Sequence, residues 1–240
     1  MLYFSDRIAT RVSDKVTCKD YVREKLGEGY TAKLYGVWDN VDDIDFSVLP
    51  LPYVLKSNCS SDDKNMLIIT EPVGDEKAMR EVLRPWLDWR NTDICGYGHA
   101  YYSITPKILA EEYLGNEKER MLTDYKFFCF NGVPFCVYSD YRPRHFAFYD
   151  LEWNVLDIKY GGRDIYPIPK PPHFDDMLHA AEILSEGFPF VRVDFFDLAD
   201  GFKVGELTYD SAGGMSTFTP ESFDSEMGEK FILSTTLLSN

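Results

Sequence analysis

Within the apolar run that begins at position 188, Val191, Val193 and Phe195 alternate with Arg192 and Asp194 in a two-residue rhythm, the period of a strand. The run 188–196 is rich in Phe and Val, Asp200-Gly201 marks a tight hairpin, and 202–207 resumes the alternation, which predicts two antiparallel strands side by side. Elsewhere the rhythm changes to that of helices. Residues 16–26 place Tyr21, Val22 and Leu26 on one side and close at Gly27. Residues 75–89 repeat Met79, Val82, Leu83 and Trp86 at helical spacing, with Pro85 set to break the run. Short apolar segments at 53–56 and 66–69 flank a polar loop and read as a hairpin with a hydrophilic tip. Segments 107–114 and 124–130 read as strands, and Asn131-Gly132 turns the second into 135–139. A further hairpin is expected from 146–149 and 153–158. The Pro-rich stretch 166–172 leads into a helix at 175–186 that Gly187 can cap, and Thr219 with Pro220 announces a last helix. Strands outnumber helices and pair mainly as hairpins, which predicts the α+β class with antiparallel sheets.

Composition narrows the picture without deciding it. The 240 residues are 45% hydrophobic and 15% aromatic, enough for one large domain or two small ones sharing a cleft. A formal charge of −15 disfavours nucleic acid and anionic membranes as partners, since both reward a basic face. No apolar stretch approaches the roughly 20 residues that span a bilayer, and the first residues lack the pattern of a signal peptide. Five cysteines with no CxxC pair suit a reduced compartment. A cytoplasmic protein is expected.

Candidate chemistry begins at the C-terminal hairpin. Residues two apart on a strand share a face, so Arg192 and Asp194 point together, as do Glu206 and Thr208. If the register aligns the two strands, one cation, two carboxylates and a hydroxyl meet on one surface. Hard divalent cations take oxygen ligands, and magnesium in phosphoryl-transfer sites uses one or two carboxylates completed by phosphate oxygens and water. An exposed hairpin face with ordinary charges is the competing reading of the same residues. Upstream, Lys15 follows Asp14 at a helix start, and Lys56 ends a strand before the polar loop. Residues 110–114 place Glu111, Glu112 and an extended backbone where a purine edge and ribose hydroxyls could bind, and Lys126 lies on a central strand. Each alone reads more readily as a solvated charge.

Taken in order, these motifs resemble the ATP-grasp ligases, and more closely the TupA-like branch associated with teichuronopeptide and cell-surface polysaccharide synthesis. The stretches DYKFFCFNG at 124–132, FYDLEWN at 148–154 and GFPFVRVD at 187–194 carry the likeness most specifically, and it extends over about 14–218. The resemblance implies two α+β lobes gripping ATP between antiparallel sheets, with 1–50 a reduced N-terminal region, 51–114 the small lobe and 115–240 the large lobe. It implies that Lys15 and Lys56 contact phosphates, and that Glu111, Glu112, Tyr113 and Leu114 hold adenine and ribose. Lys126 would stand near the phosphates, Arg192 would stabilise the transferring phosphoryl group, and Asp194, Glu206 and Thr208 would ligate Mg2+. The implied activity joins a carboxylate to an amine through an acyl phosphate, here in surface glycan synthesis, with a uronic acid or acidic amino acid as the carboxylate and an amino acid or amino alcohol as the amine. Arg142 and Arg144 form a basic island suited to a substrate carboxylate or sugar-linked diphosphate.

Two departures stand out. The loop 57–65 has no glycine and carries Asp62 and Asp63, where the family closes a glycine-rich loop over phosphates; and Thr208 replaces the usual asparagine. A nucleotide- or glycan-binding relative without catalysis and a glycosyltransferase are the competing functions. The three spaced lysines suit a triphosphate better than a nucleotide sugar.

Overall fold

Two short helices open the computed structural model, α1 (Arg7–Ser13) and α2 (Lys15–Leu26); the residues described are 7–60, 63–88, 100–115, 122–141, 145–209 and 211–232. The start of α2 follows from its sequence: the Asp14 carboxylate accepts from the Val16 N–H at 2.8 Å, satisfying one of the donors a helix start leaves open. It ends at Gly27, whose φ of 93° few other residues adopt.

The next segment builds a small sheet from β1 (Leu34–Trp38), β2 (Tyr53–Ser57), β3 (Met66–Ile69) and β4 (Ile108–Glu112), with α3 (Glu76–Leu83) between the last two strands. The order is β1-β4-β2-β3 and every pair is antiparallel. The expected β2–β3 hairpin forms, but β4 inserts between β1 and β2, a pairing that no local pattern announces. Tyr53, Leu55, Ile108 and Ala110 pack with Leu83 and Trp86 to make its core. The helix expected over 75–89 stops at Leu83 because Pro85 cannot donate a backbone bond, and 84–87 winds as a tighter turn.

The larger sheet gathers β5 (Asp124–Phe130), β6 (Val133–Tyr141), β7 (His145–Tyr149) and β8 (Val155–Leu156). β9 (Lys159–Tyr160) leaves it to pair elsewhere; then come α4 (Phe174–Ser185), β10 (Val191–Leu198), β11 (Gly201–Thr208), β12 (Phe218–Thr219) and α5 (Ser222–Glu229). Its order is β11-β10-β5-β6-β7-β8, again antiparallel. Asn131 and Gly132 both have positive φ, 52° and 83°, as the turn predicted between β5 and β6 requires. Of the strand expected at 153–158 only β8 pairs. The Asp150 carboxylate accepts from the N–H groups of Glu152 and Asn154, and this turn holds Trp153 at φ 70° with its ring stacked 3.9 Å from that of Tyr149. Thr219 does not cap the last helix: it pairs with Lys159, β12 lying beside β9, and α5 starts at Ser222 without a side-chain cap.

The two faces of the larger sheet have different fates. Phe127, Val193 and Phe195 point into a core with Phe174, Met177 and Leu184 of α4 and with Tyr21 and Val22 of α2. The opposite face is divided. Phe128, Phe130 and Phe148 lie under Phe223 and Met227 of α5, while the neighbouring positions on the same face carry the charges of Lys126, Arg192 and Asp194. The described part of 1–50 is shared out accordingly, with α1 and α2 packed on the larger sheet and β1 joined to the smaller. Among the described residues no helix is long and apolar enough to cross a membrane.

Candidate functional site

The hairpin of β10 and β11 acquires its charged face through one extra residue. From the turn, Leu198 pairs with Gly201, Asp197 with Phe202, Phe196 with Lys203 and Phe195 with Val204; the register then slips, and Asp194 stands opposite Glu206. Gly205 is the residue bulged out. Without that bulge Asp194 would face Gly205 and Glu206 would point to the other side of the sheet, because a one-residue slip exchanges faces. With it, Arg192 pairs with Thr208 and Asp194 with Glu206, and all four side chains share a surface.

Their contacts are short. Arg192 donates to both oxygens of Asp194 at 2.7 and 2.6 Å, to Glu206 and Thr208 at 3.0 Å each, and to the Ser211 hydroxyl at 3.0 Å. On the other side of β10, Lys126 of β5 is the register partner of Asp194 and reaches it at 2.8 Å, with Asp124 at 3.0 Å. Burial alone would raise the pKa of Glu206, but Lys15, Arg192 and Lys126 outweigh it and hold the value down to about 2. Asp124 moves the other way, to about 6, because burial and the nearby Asp194 exceed the help it receives from Lys126. Burial opposes the charge on Lys126 and Arg192 too, yet their carboxylate partners keep both protonated.

Lys15 and Lys56 face these groups across a cavity of about 330 Å³, which Lys126, Arg192, Asp194 and Glu206 also line. Lys15 lies 3.8 Å from Glu206, its N–H donates to the Asn58 carbonyl and its ammonium to that of Ser60. The start of α2 is thereby tied to the segment after β2. That segment is not the wet loop tip its sequence predicts: Ser57, Asn58, Cys59 and Ser60 are buried, and Asn58 is bonded to Thr105 and Lys107. Ser61, Asp62, Arg142 and Arg144 lie outside the described residues, as does the side chain of Asp63.

Glu111 is buried on β4 and does not line the cavity; Lys56, which does, and Lys19 both pair with it. Burial disfavours its charge, but Lys56 and Lys19 prevail and hold its pKa to about 2. Glu112 faces away, its carboxylate accepting from the Lys33 N–H at 3.2 Å beside a second cavity. Tyr113 and Leu114 are half-buried just beyond β4. Besides Asp124 and Asp140, which line the cavity, two further contributors were not singled out from the sequence. Lys19 lies one helical turn after Lys15, a spacing that could have revealed it. Arg163 follows the turn residues Gly161 and Gly162, and its guanidinium lies 5.0 and 5.3 Å from the Phe146 and Tyr160 ring centres. Among the described residues it is the one cation lining the cavity with no carboxylate partner.

The donor chemistry fits a hard divalent cation. Asp194 and Glu206 offer ionisable oxygens on one face with the Thr208 hydroxyl adjoining, while among the described residues no group of three or more His, Cys, Asp or Glu is arranged to hold a metal ion by itself. A cation held here would complete its shell with phosphate oxygens and water.

The sequence pattern of TupA-like ATP-grasp proteins matches residues 1–232. The chain belongs to this family. The ATP-grasp fold is also that of solved ligases. The chain resembles the D-alanine–D-alanine ligase of Bacillus anthracis in its ATP complex, with a TM-score of 0.54 at 13% identity over 93% of this chain and 65% of that one. Another structure of the same ligase gives 0.50 at 16% identity over 96% and 67%. The ADP complex of N5-carboxyaminoimidazole ribonucleotide synthetase gives 0.53 at 14% identity over 83% of this chain and 45% of that one. The TupA-like chain thus spans under half of the synthetase and about two thirds of the D-alanine ligase. Curated proteins compared by sequence give no match.

Proposed function

We propose that this TupA-like ATP-grasp protein is an ATP-dependent carboxylate–amine ligase that works in the cytoplasm on cell-surface polysaccharide precursors. Residues 51–114 joined by β1 would form the small lobe, and 115–240 joined by α1 and α2 the large lobe. The observation that carries the reading is the convergence of Lys15, Lys56, Lys126, Arg192, Asp194 and Glu206, drawn from four separate stretches of chain, on one cavity.

Forming an amide from a carboxylate in water is uphill, so the carboxylate is first phosphorylated by ATP and the amine then displaces phosphate. Lys15 and Lys56 would hold the nucleotide's phosphates, with Glu111, Glu112 and the backbone of Tyr113 and Leu114 around adenine and ribose. Asp194, Glu206 and Thr208 would hold Mg2+, whose charge neutralises the phosphate oxygens when bound. Lys126 and Arg192 supply positive charge where negative charge gathers on the transferring group, and burial makes that charge more effective than it is in water. Both cations already engage Asp194, so binding requires them to share or exchange partners. The acceptor would be a uronic acid or an acidic amino acid, the donor an amino acid or amino alcohol, and Arg142 and Arg144 would receive the acceptor's carboxylate or diphosphate.

Calorimetric titration with ATP in magnesium, followed by ADP release with mixed uronic acids, acidic amino acids and amines, tests this. Asp194→Asn and Glu206→Gln should each abolish ADP release while the circular dichroism spectrum is retained. Full activity in both variants would remove the metal assignment, and tight ATP binding without turnover on any acceptor pair would leave a nucleotide-binding protein rather than a ligase.

A further inference from the structure

Glu111 of β4 is held by two cations from different parts of the fold. Lys56 reaches it from β2 in the same sheet. Lys19 reaches it from α2, which packs on the larger sheet, and its ammonium lies 2.8 Å from Oε2. The Glu111 side chain is 8% exposed, and those of Lys19 and Lys56 are 15% and 17%. Two ammonium groups on one carboxylate exceed what neutrality requires, and the two differ in position. Lys56 lines the cavity shared with Arg192 and Asp194, whereas Lys19 lies outside it and donates a further bond to the Ala32 carbonyl at 2.8 Å.

The excess has a physical use. An ammonium that turns from a buried carboxylate to a phosphate leaves that carboxylate uncompensated, and an unpaired buried charge is strongly unfavourable. With Lys19 fixed in place, Glu111 keeps a partner when Lys56 leaves it. We propose that Lys19 is a positioning residue for nucleotide binding: by remaining on Glu111, it frees Lys56 to transfer its charge to an anion in the cavity. The inference rests on Lys56 being a phosphate contact of the proposed ligase.

ATP binding followed by calorimetry in excess magnesium tests it independently of turnover. Lys19→Met should weaken ATP binding about tenfold or more, and Lys19→Arg should keep it near the wild-type value. The double variant Lys19→Met/Glu111→Gln should recover most of the lost affinity, since glutamine leaves no buried charge when Lys56 departs and keeps an oxygen for an adenine amino group. If Lys19 merely braced α2 against β4, the double variant would bind no better than the single one. Should the methionine variant not fold, Lys19→Gln removes the charge while keeping a donor for the Ala32 carbonyl, and is read in the same way. Undiminished affinity after removal of the Lys19 charge, or no recovery in the double variant, overturns the inference. A wild-type protein that binds no ATP overturns the proposed function itself, and the two failures are thereby distinguished.

Discussion

A Cβ placed on Gly205 would lie 2.9 Å from the Phe196 ring and 3.6 Å from the Asp194 carbonyl, so any side chain at the residue that creates the bulge would crowd the Phe196 ring. The ring could yield to a methyl group by a small rotation, but a branched side chain would press on both the ring and the strand. Gly205→Val should therefore destabilise the fold by about 1–3 kcal/mol through overpacking and turn Glu206 away from Asp194. The expected result is a lower melting temperature together with loss of the magnesium dependence of ATP binding. If ATP binding in the variant keeps the wild-type magnesium dependence, the bulge does not set the metal face.

Among the elements, α2 does two jobs. Its N-terminal end carries Lys15 to the cavity and Lys19 to Glu111 beside it, and its middle fastens it to α4, where the buried Tyr21 hydroxyl donates to the Leu184 carbonyl at 2.9 Å. That carbonyl belongs to the last turn of α4, where helices leave acceptors without internal partners. Tyr21→Phe removes the donor and leaves the acceptor buried, a change of about 1 kcal/mol, or roughly 2–4 °C in melting temperature for a chain of this size. ATP affinity should not change, because Tyr21 lines none of the cavity. A variant that melts at the wild-type temperature would show that another group satisfies Leu184. The motif at 148–154 also acts at this scale: its Asp150 and Trp153 build a turn rather than a site.

For the molecule as a whole, the ionic tie of Lys19, Glu111 and Lys56 joins the layer of α2 to the smaller sheet, and it depends on pH. The Glu111 pKa is lowered on folding from 4.5 to about 2. Its contribution to stability is thus complete above 4.5 and is lost as pH falls toward 2, since the unfolded chain binds the proton more readily. Urea unfolding across that range should show stability falling with pH in the wild type, and the gap between wild type and Glu111→Gln should narrow as pH falls. A gap that stays constant from neutral pH to pH 2 would mean that the carboxylate is not held in its charged form by the two lysines. Bound ATP and magnesium should raise the melting temperature in proportion to the logarithm of ligand concentration, as expected of a site formed only in the folded protein.

Local alternation determined most of the hairpins, because strand period, Asn-Gly and Asp-Gly turns and capping residues act within a few positions: β2 with β3, β5 with β6 and β10 with β11 were all legible, as were α2 and α4. Of the charged residues that line the cavity, Lys15, Lys56, Lys126, Arg192, Asp194 and Glu206 were legible from residue type and order, whereas Asp124, Asp140 and Arg163, with Lys19 beside the cavity, were not. Three matters were decided by the tertiary structure alone. Which face Glu206 takes depends on a one-residue bulge at Gly205, and alternation by itself assigns the wrong parity across it. The insertion of β4 between β1 and β2 joins segments some 70 residues apart, which no local pattern encodes. Glu111 reads as an open acceptor in the sequence, whereas burial against α2 gives it two lysine partners, because only the packed fold fixes which opposite charges share a low-dielectric space.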